Sequence, residues 1–443
     1  MKQFSPPKRI QRFIEKRAGN HAKGWDYSDA PDCRQEKKAR IPMSSLLWCY
    51  EFGLTSNQPT LRDVEELSTR LGPWAKALVP GRISDTTLDT EARRLDPEYL
   101  HGKMALRIRD FQRSKMLEPV GLPCGIATVD GKNLATLDHD AEGAGHARSN
   151  ENKKWHKSAD QEKSQGKRYW LMPVLRAVLT SAEAKPCIYQ HSLPAGTGEA
   201  TGFPEIADGL HEAYGRSGMI GIIDGDAGLT SLRNASYVNQ LGYGYILGLK
   251  GNQAELYAEA RALLIPKSES EEPESETPWE LRNGKSIRRR LWRTDEMQGF
   301  ENSVGTWDHL RQTWLVRQES VDTNGTMEVE DRYFLSSLLW NFLTPGRILL
   351  AVRNHWGVEN NAFNSLDLQW HEDKGPWCTM GTSVAALGVL RLLAYNTAQV
   401  LRRRRLRKKN AYGGLTAPIS WRSLFKDIES ALKLEMEAVS VGV

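Results

Sequence analysis

Acidic residues stand at three places in this sequence where they could bind divalent metal ions. Asp130 follows the apolar run GIATV, and Asp224 and Asp226 follow a second apolar run, MIGII. Both runs predict buried strands, and ligand groups in open α/β sheets gather where strands end. Glu359 comes much later, on a predicted helix one turn beyond His355, so these two side chains should share a helix face.

Carboxylates that are brought together repel one another, and a divalent cation would relieve that repulsion. An all-oxygen ligand set suits Mg²⁺ or Mn²⁺, and two such ions can promote an in-line displacement at phosphorus. Other interpretations stay open at this point, since Asp130-Gly131 is also a common turn and Glu359 could be an ordinary helix surface acid. A calcium loop starting at Asp224 is excluded, because Ala235 occupies the position that needs a bidentate glutamate.

The elements around these acids predict an α/β fold. Residues 119–400 alternate between apolar runs and helical patterns, which predicts a mixed sheet with helical crossovers. The expected strands are 125–129, 169–179, 186–191, 219–223 and 243–249, with helices at 203–214 and 253–264. Asn252 and Glu255 form a capping signature for the second of these helices.

The alternation stops near residue 266, and residues 266–342 predict a β-rich insertion in the domain. This insertion begins with a glutamate-rich linker, and its apolar runs are typical of strands without helices between them: 286–292, 312–317 and 328–335. A helix then starts at Thr344-Pro345, where threonine can cap and proline fits the first turn. Residues 384–402 predict another helix.

Basic blocks flank this domain on both sides. Residues 1–40 are polar and basic and predict a weakly ordered arm, whereas residues 41–118 predict a helical N-terminal domain that binds DNA or assists in binding it. Residues 401–443 predict a basic C-terminal tail that begins with RRRRLRKK at 402–409, and the insertion carries RRRLWR at 288–293. Separated basic blocks on a chain of net charge +5 favour a partner made of phosphates, although each block alone could be a solvated face.

The composition argues against several other classes of protein. The 443 residues are 40% hydrophobic and 26% charged, as in ordinary globular proteins of two or three domains. The five cysteines are scattered without a CxxC pair, which argues against structural zinc and disulfides and for a reducing cytoplasm. No apolar run approaches the ~18 residues of a membrane span, so no membrane is expected. No phosphate-loop motif occurs, and no organic cofactor is expected.

Four blocks resemble those of bacterial insertion-sequence DDE transposases, most closely the group that includes the H-repeat-associated proteins. The segment RNHWGVEN at 353–360, followed by Asp367 and by Glu372-Asp373, is similar to that group's RxHWxxEN…LD…ED block. DGK at 130–132 resembles its first-aspartate motif, and Asp226-Ala227 with YGYILGLKGNQ resembles its DA…YxxxxKGNQ block. YFLSSL at 333–338 resembles the strand before its glutamate helix.

This resemblance covers roughly residues 117–396 and implies an RNase H-like catalytic core. It selects Asp226 over Asp224, because the distance from Asp226 to the KGNQ lysine matches the family. The implied catalytic and metal-binding triad is Asp130, Asp226 and Glu359, which would hold two Mg²⁺ or Mn²⁺ ions. One departure is that GLTS follows Ala227, so the histidine of the family's DAxHTQ motif is absent.

The resemblance also implies double-stranded DNA as the partner, with transposon terminal inverted repeats and target DNA as the two substrates. Candidate DNA-contacting residues are His355, Arg353, Lys132, Lys250, Arg288, Arg290, Arg402 and Arg403. Each has a structural alternative, such as a packing histidine, a local salt bridge or a turn lysine.

The implied function is a transposase that cleaves strands at transposon ends and then joins the freed 3′-hydroxyl to target DNA. A homodimer is expected in the DNA synapse, and the expected location is the bacterial cytoplasm, at the nucleoid when bound to DNA. Two alternatives remain: an RNase H-like nuclease that cuts without joining, and a retired transposase that only binds DNA.

Overall fold

A computed structural model describes most of the chain. The residues it describes are 5–20, 22–34, 39–136, 148–149, 170–194, 197–282, 284–374, 377, 383–407 and 416–434. The predicted C-terminal tail lies in part outside these residues, at 408–415 and 435–443.

The first part of the chain is helical, as predicted for residues 41–118. Its helices are α1 (Pro6–Gly19), α2 (Met43–Thr55), α3 (Leu61–Thr69), α4 (Pro73–Lys76), α5 (Asp85–Ala92) and α6 (Pro97–Arg113). Thr60 begins α3 with a capping box, in which its hydroxyl accepts a hydrogen bond from the Asp63 amide at 3.1 Å. Gly72 and Pro73 separate α3 from α4.

The middle of the chain alternates strands and helices. The strands are β1 (Ile126–Thr136), β2 (Arg148–Ser149), β3 (Trp170–Leu179), β4 (Cys187–Ser192), β5 (Ile222–Gly225) and β6 (Gly244–Leu249). The helices are α7 (Phe203–Tyr214), α8 (Leu232–Gln240) and α9 (Ala254–Ser270). The predicted strands and helices begin within three residues of these positions, but β1 extends to Thr136 rather than ending at 129, and α9 extends to Ser270 rather than ending at 264.

The last part begins with strands and ends with helices. The strands are β7 (Ser275–Glu276), β8 (Glu280–Arg282), β9 (Lys285–Thr294), β10 (Glu301–Asn302), β11 (Gly305–Thr306), β12 (Gln312–Val321) and β13 (Met327–Ser336). The helices are α10 (Pro345–His355), α11 (Asn364–Trp370), α12 (Val384–Val400) and α13 (Trp421–Leu432).

One mixed sheet of eleven strands forms the centre of the protein. Its order is β2-β3-β1-β5-β6-β13-β12-β9-β7, with β4 beside β3 and β8 beside β9. Strands β1, β5 and β6 are parallel, whereas β3 and β4 are antiparallel to their neighbours. The run β4-β3-β1-β5-β6 is consistent with the RNase H-like core that the resemblance implies.

The β-rich insertion is part of this same sheet. Strand β13 pairs antiparallel with β6, placing Leu335 opposite Leu247, and β12 and β9 follow it. The prediction of strands was therefore correct, and the structure adds that these strands extend the main sheet beyond β6. The physical reason is that β6 would otherwise be an edge strand with unpaired backbone groups, which β13 covers.

The prediction of a weakly ordered N-terminal arm was wrong for residues 6–19. These residues form α1, which buries Ile10, Phe13 and Ile14 at helical spacing and packs against α13. Helix α13 in turn buries Leu424 and Ile428, so residues 421–432 are a packed helix within the predicted tail. A polar, basic composition concealed a narrow apolar stripe on each helix.

Two apolar layers hold the sheet, one on each face. On one face Ile126, Ile222 and Ile246 pack with Ile348 and Val352 of α10. The alternate strand residues point to the opposite face, as the two-residue period of a strand requires, and pack with α12 and α7.

Helix α12 and its continuation lie in the second of these layers. The stretch Val384–Arg405 is long and apolar enough to cross a membrane, but 94% of its apolar window is buried inside the protein. That burial is typical of a core helix, which α12 is in its contacts with α2 and α6.

Candidate active site

The pairing of β1 with β5 brings the first two acidic positions side by side. Val129 lies opposite Gly225 in this parallel pair, so the next residues, Asp130 and Asp226, emerge next to each other. Asp226 lies just beyond the end of β5, and its side chain is exposed. This is the strand-end position predicted from the apolar run before it.

Glu359 lies in an unusual helical turn above the same face of the sheet. Helix α10 ends at His355, and Val358–Phe363 forms a π-helical turn before α11. The prediction that His355 and Glu359 lie on one continuous α-helix was therefore wrong in detail. Such wide turns are rare and occur often at functional sites, because they redirect side chains that a regular helix would place elsewhere.

The pKa of Asp130 shows that these carboxylates share one compartment. Burial raises the pKa of Asp130, the Gly131 amide lowers it, and the charges of Glu359, Asp226 and Glu199 raise it again, so that the resulting pKa is about 7. The structure therefore brings Asp130, Asp226 and Glu359 together and adds a fourth acid, Glu199. Removal of the Asp130 carboxylate from water and the nearby negative charges both disfavour its ionised form.

Asp224 has a different environment from Asp226, two residues away. It is 2% exposed, and its Oδ2 accepts hydrogen bonds from the Thr128 hydroxyl at 2.7 Å and from His355 Nδ1 at 2.9 Å. Its Oδ1 has no hydrogen-bond partner among the described residues. Asp224 is thus a buried acid that positions its neighbours, whereas the exposed Asp226 side chain is available to a ligand.

His355 belongs to the acid cluster. Burial by itself would lower the pKa of His355, but the charge and hydrogen bond of Asp224 outweigh burial and raise it. The charges of Asp130 and Asp226 act in the same direction. These acids therefore favour the protonated form of the imidazole, which differs from the neutral packing histidine weighed as its alternative.

Glu199 is the acid that sequence reasoning missed. A Cβ built on Gly131 would lie 1.9 Å from Glu199 Oε1, so this carboxylate rests directly against the β1 backbone beside Asp130. Burial raises the pKa of Glu199, and Asp226 raises it further. The turn interpretation of Asp130-Gly131 was wrong, because β1 continues through these residues to Thr136. Gly131 was the sequence signal for Glu199, since a glycine inside a strand often allows another group to approach the backbone closely.

Two ion pairs connect the segment after Glu359 to the sheet. One is made to β1, which carries Asp130, and the other to the neighbouring strand β3. The Lys132 ammonium donates to both Asp367 carboxylate oxygens at 2.6 and 2.7 Å. The fully buried Arg176, opposite Asp130 on β3, makes a bidentate pair with Glu372 at 2.6 and 2.8 Å. The LD…ED acids thus hold the π-helical turn over the sheet, and Lys132 is neutralised by one of them.

The KGNQ segment supports the loop that follows Asp226. The Asn252 side-chain amide donates to the Ala227 carbonyl at 2.7 Å, and the Gln253 amide donates to the Thr230 carbonyl at 3.0 Å. The predicted cap at Asn252 was wrong, because α9 begins at Ala254 without a side-chain cap. The amide is used for a tertiary contact, and the adjacent Lys250 is exposed.

The other predicted DNA contacts are largely paired within the protein. The two terminal guanidinium nitrogens of Arg353 bind the Glu280 carboxylate of β8 at 2.9 and 2.8 Å. This agrees with the alternative interpretation of Arg353, a local salt bridge. Arg288 and Arg290 of β9 lie between Glu276 and Glu319, with the Arg288–Glu319 pair at 2.6 Å. These arginines therefore offer little net charge to a phosphate.

Arg402 and Arg403 also make internal contacts. Arg402 donates to the Ile419 carbonyl at 2.7 Å and lies over the Trp421 ring, and burial lowers its pKa. Arg403 donates to the Gln399 side chain at 3.3 Å. Both are held against the last helices rather than extended from a tail.

The cluster has the donor chemistry of a divalent-cation site. Among the described residues, no three His, Cys, Asp or Glu side chains are placed as ready ligands of one ion. The fit is chemical: burial and the charges of neighbouring carboxylates raise the pKa of Asp130 to about 7, and a nearby cation would favour its ionised form. Carboxylate oxygens alone suit Mg²⁺ and Mn²⁺.

The sheet order and the acids at its strand ends are those of the RNase H-like class. A family model described as a transposase DDE domain matches residues 126–397, more than half of the chain. This protein therefore belongs to the DDE transposases, a family of enzymes that act on DNA. A search of curated proteins found no match.

Proposed function

We propose that this protein is a DNA transposase that cleaves DNA strands at transposon ends and joins the freed 3′-hydroxyl to target DNA. The observation that carries this proposal is the grouping of Asp226, Glu359 and Glu199 with Asp130, whose pKa is raised to about 7 by burial and by these three charges. The family match supports the proposal because it implies that DNA is the substrate.

In this proposal Asp130, Asp226 and Glu359 hold two Mg²⁺ or Mn²⁺ ions. The ions would supply activation of the attacking oxygen and stabilisation of the leaving oxygen during in-line displacement. Asp130 lies on β1 beside β5, the charges of Asp226 and Glu359 both act on it, and it would be a ligand for both ions. Glu199, beside Asp130 and Asp226, adds a further oxygen ligand or fixes the position of Asp130.

Neighbouring residues orient this cluster. Thr128 and His355 hold Asp224 from two sides, so the buried acid ties α10 to β5. His355, whose protonated form the acids favour, contacts Asp224, and we propose that it also contacts an oxygen of the scissile phosphate. Lys132 is neutralised by Asp367 and acts in positioning.

We further propose that the chain belongs to the group that includes the H-repeat-associated proteins, on the RNHWGVEN and KGNQ blocks. Its DNA partners would be the terminal inverted repeats and the target duplex, bound by a homodimer in the synapse. The reaction needs no energy-rich cofactor, because one phosphodiester bond replaces another.

The proposal is tested by comparing Asp226→Asn, Asp224→Asn and the exposed control Asp208→Asn in strand cleavage and 3′-joining assays. We expect Asp226→Asn to lower cleavage by about a hundredfold or more and to weaken Mn²⁺ binding, with DNA binding retained. We expect Asp224→Asn to retain Mn²⁺ binding and Asp208→Asn to behave as wild type.

The same assays separate the alternatives. Cleavage by the wild-type protein without joining would replace the transposase by a nuclease. DNA binding without cleavage or Mn²⁺ binding would indicate a retired transposase. Loss of Mn²⁺ binding in Asp224→Asn with cleavage intact in Asp226→Asn would move the second ligand to Asp224.

A further inference from the structure

A basic groove lies between the two ends of the chain, apart from the acid cluster. It has a volume of about 630 Å³ and is lined by α1, the end of α6 and the residues after α12. The chain continues from α12 as a π-helical turn, Leu401–Arg405, which carries four consecutive arginines. None of the acids around Asp130 lines this groove.

One wall of the groove is a row of cations along α1. Arg9, Arg12 and Lys16 line it at helical spacing, while Ile10 and Ile14 on the other side of the helix are buried. At ~1.5 Å per residue the row of cations spans about 10 Å along α1. Each strand of DNA rises ~3.4 Å per nucleotide along the helix axis, so the row covers about three nucleotides. The row therefore has the length of a short stretch of nucleic acid backbone.

The opposite wall comes from the far end of the sequence. Arg404, Arg405 and Arg407 line it, and the Arg405 guanidinium lies 5.6 Å from the centre of the Phe13 ring of α1. Glu183 pairs with Arg404 at 3.5 Å and also with Arg407. This leaves Arg405 as the exposed cation of that wall.

Cations outnumber anions in this groove. Asp110 is the one acid among the described residues that line it, and Arg17 pairs with it at 2.8 Å. Burial lowers the pKa of Arg405, and the charges of Arg17, Arg404 and Arg9 lower it further, which shows that these cations repel one another. A polyanion in the groove would relieve that repulsion.

We propose that this groove binds backbone phosphates of double-stranded DNA at a place separate from the acid cluster. The choice of DNA as the polyanion rests on the proposed function, whereas the anion site rests on the geometry. A lipid surface is a poorer fit, because the aromatic ring in the groove, Phe13, is only 7% exposed and offers nothing to insert.

The test removes three groove cations for which the described residues provide no acid partner, by combining Arg9→Gln, Lys16→Gln and Arg405→Gln in the full chain. DNA binding of a short duplex is measured from about 50 to 200 mM salt. Each lost phosphate contact should lower the slope of log K against log salt by about 0.9, so we expect a decrease of about 2 to 3. The decrease should be the same for inverted-repeat and random duplexes, because phosphate contacts carry no sequence information.

Two controls make the result specific. A triple variant at exposed cations elsewhere, Arg216→Gln, Arg233→Gln and Arg261→Gln, removes the same charge and should leave the slope unchanged. The variant Arg9→Lys with Arg405→Lys keeps the charge and should also keep the slope. Thermal melting of each protein checks that the fold is retained.

Other outcomes would overturn the inference. An unchanged slope in the groove variant, or an equal loss in the control variant, would mean that the groove does not bind DNA. Tighter groove-dependent binding of single-stranded RNA than of duplex DNA would replace DNA as the occupant. Failure of the proposed function looks different: the groove variant would lose DNA binding as expected while the wild-type protein cleaved no DNA.

Discussion

The buried ion pair between Arg176 and Glu372 should be costly to break. Both side chains have no solvent exposure, and Gln190 accepts two further hydrogen bonds from the same guanidinium, at 2.9 and 2.8 Å. Glu372→Gln keeps the size of the side chain but removes its charge. Arg176 would then be a buried cation without a counter-ion, directly beside Asp130 on the next strand.

The magnitude follows from the pKa of Glu372. Burial would raise this pKa, but Arg176 holds it at about 2, below the ordinary value of 4.5. At ~1.4 kcal/mol per pKa unit, this difference corresponds to about 3 kcal/mol of stability. Loss of one partner of a buried pair typically costs about 3–5 kcal/mol, so we expect a decrease of about that size in the free energy of unfolding.

Urea unfolding of the wild type and Glu372→Gln near neutral pH measures this cost. Because the pKa is depressed in the folded state, the stabilisation is complete above the unfolded value of about 4.5 and decreases by about 1.4 kcal/mol per pH unit below it. The exposed Arg332–Glu330 pair at 2.6 Å provides a control, and Glu330→Gln should cost less than about 1 kcal/mol. Equal costs for the two variants, or a difference from wild type that persists unchanged at acid pH, would refute the reasoning.

Smaller changes around the acid cluster should have separate effects. Because Asp224 raises the pKa of His355, the imidazole should stay protonated above pH 6.5 in the metal-free protein. In an NMR titration, Asp224→Asn should lower this pKa. Identical titrations of the variant and the wild type would contradict the assignment. In Gly131→Ala the new methyl group would collide with the Glu199 carboxylate, so the rate of cleavage should fall. A second substitution, Glu199→Ala, should partly restore it. A lack of rescue would count against this contact. Asn252→Ala loses a 2.7 Å hydrogen bond that holds the loop after the second aspartate and should cost about 1 kcal/mol in unfolding. It should slow cleavage without weakening DNA binding, and a parallel loss of both would argue for a different role.

The acids that could be predicted from the sequence are those that follow recognisable strands. GIATV before Asp130 and MIGII before the second aspartates are local patterns, because a buried strand needs a run of apolar residues whatever lies around it. Glu199 has no such pattern. It approaches Gly131 only in the folded chain, so nothing near it in sequence marks it as a neighbour of Asp130.

The first helix shows a different limit of sequence reasoning. Its apolar residues Ile10, Phe13 and Ile14 form a stripe too narrow to stand out among the basic residues of the arm. The stripe is stabilised by packing against α13, which lies at the other end of the chain. Most helical stability in proteins comes from such packing rather than from local preference.

The positions of the main strands along the chain, the acids that follow two of them and the resemblance to DDE transposases could all be predicted from the sequence alone, because each depends on short local runs of residues. Only the tertiary structure decided which cations remain available to a phosphate. Arg288 and Arg290 are neutralised by Glu276 and Glu319 on neighbouring strands, whereas Arg405 is brought to the basic helix α1 from the opposite end of the sequence. Charge pairing falls off within a few ångströms of separation, so it is set by neighbours in space that the linear sequence does not reveal.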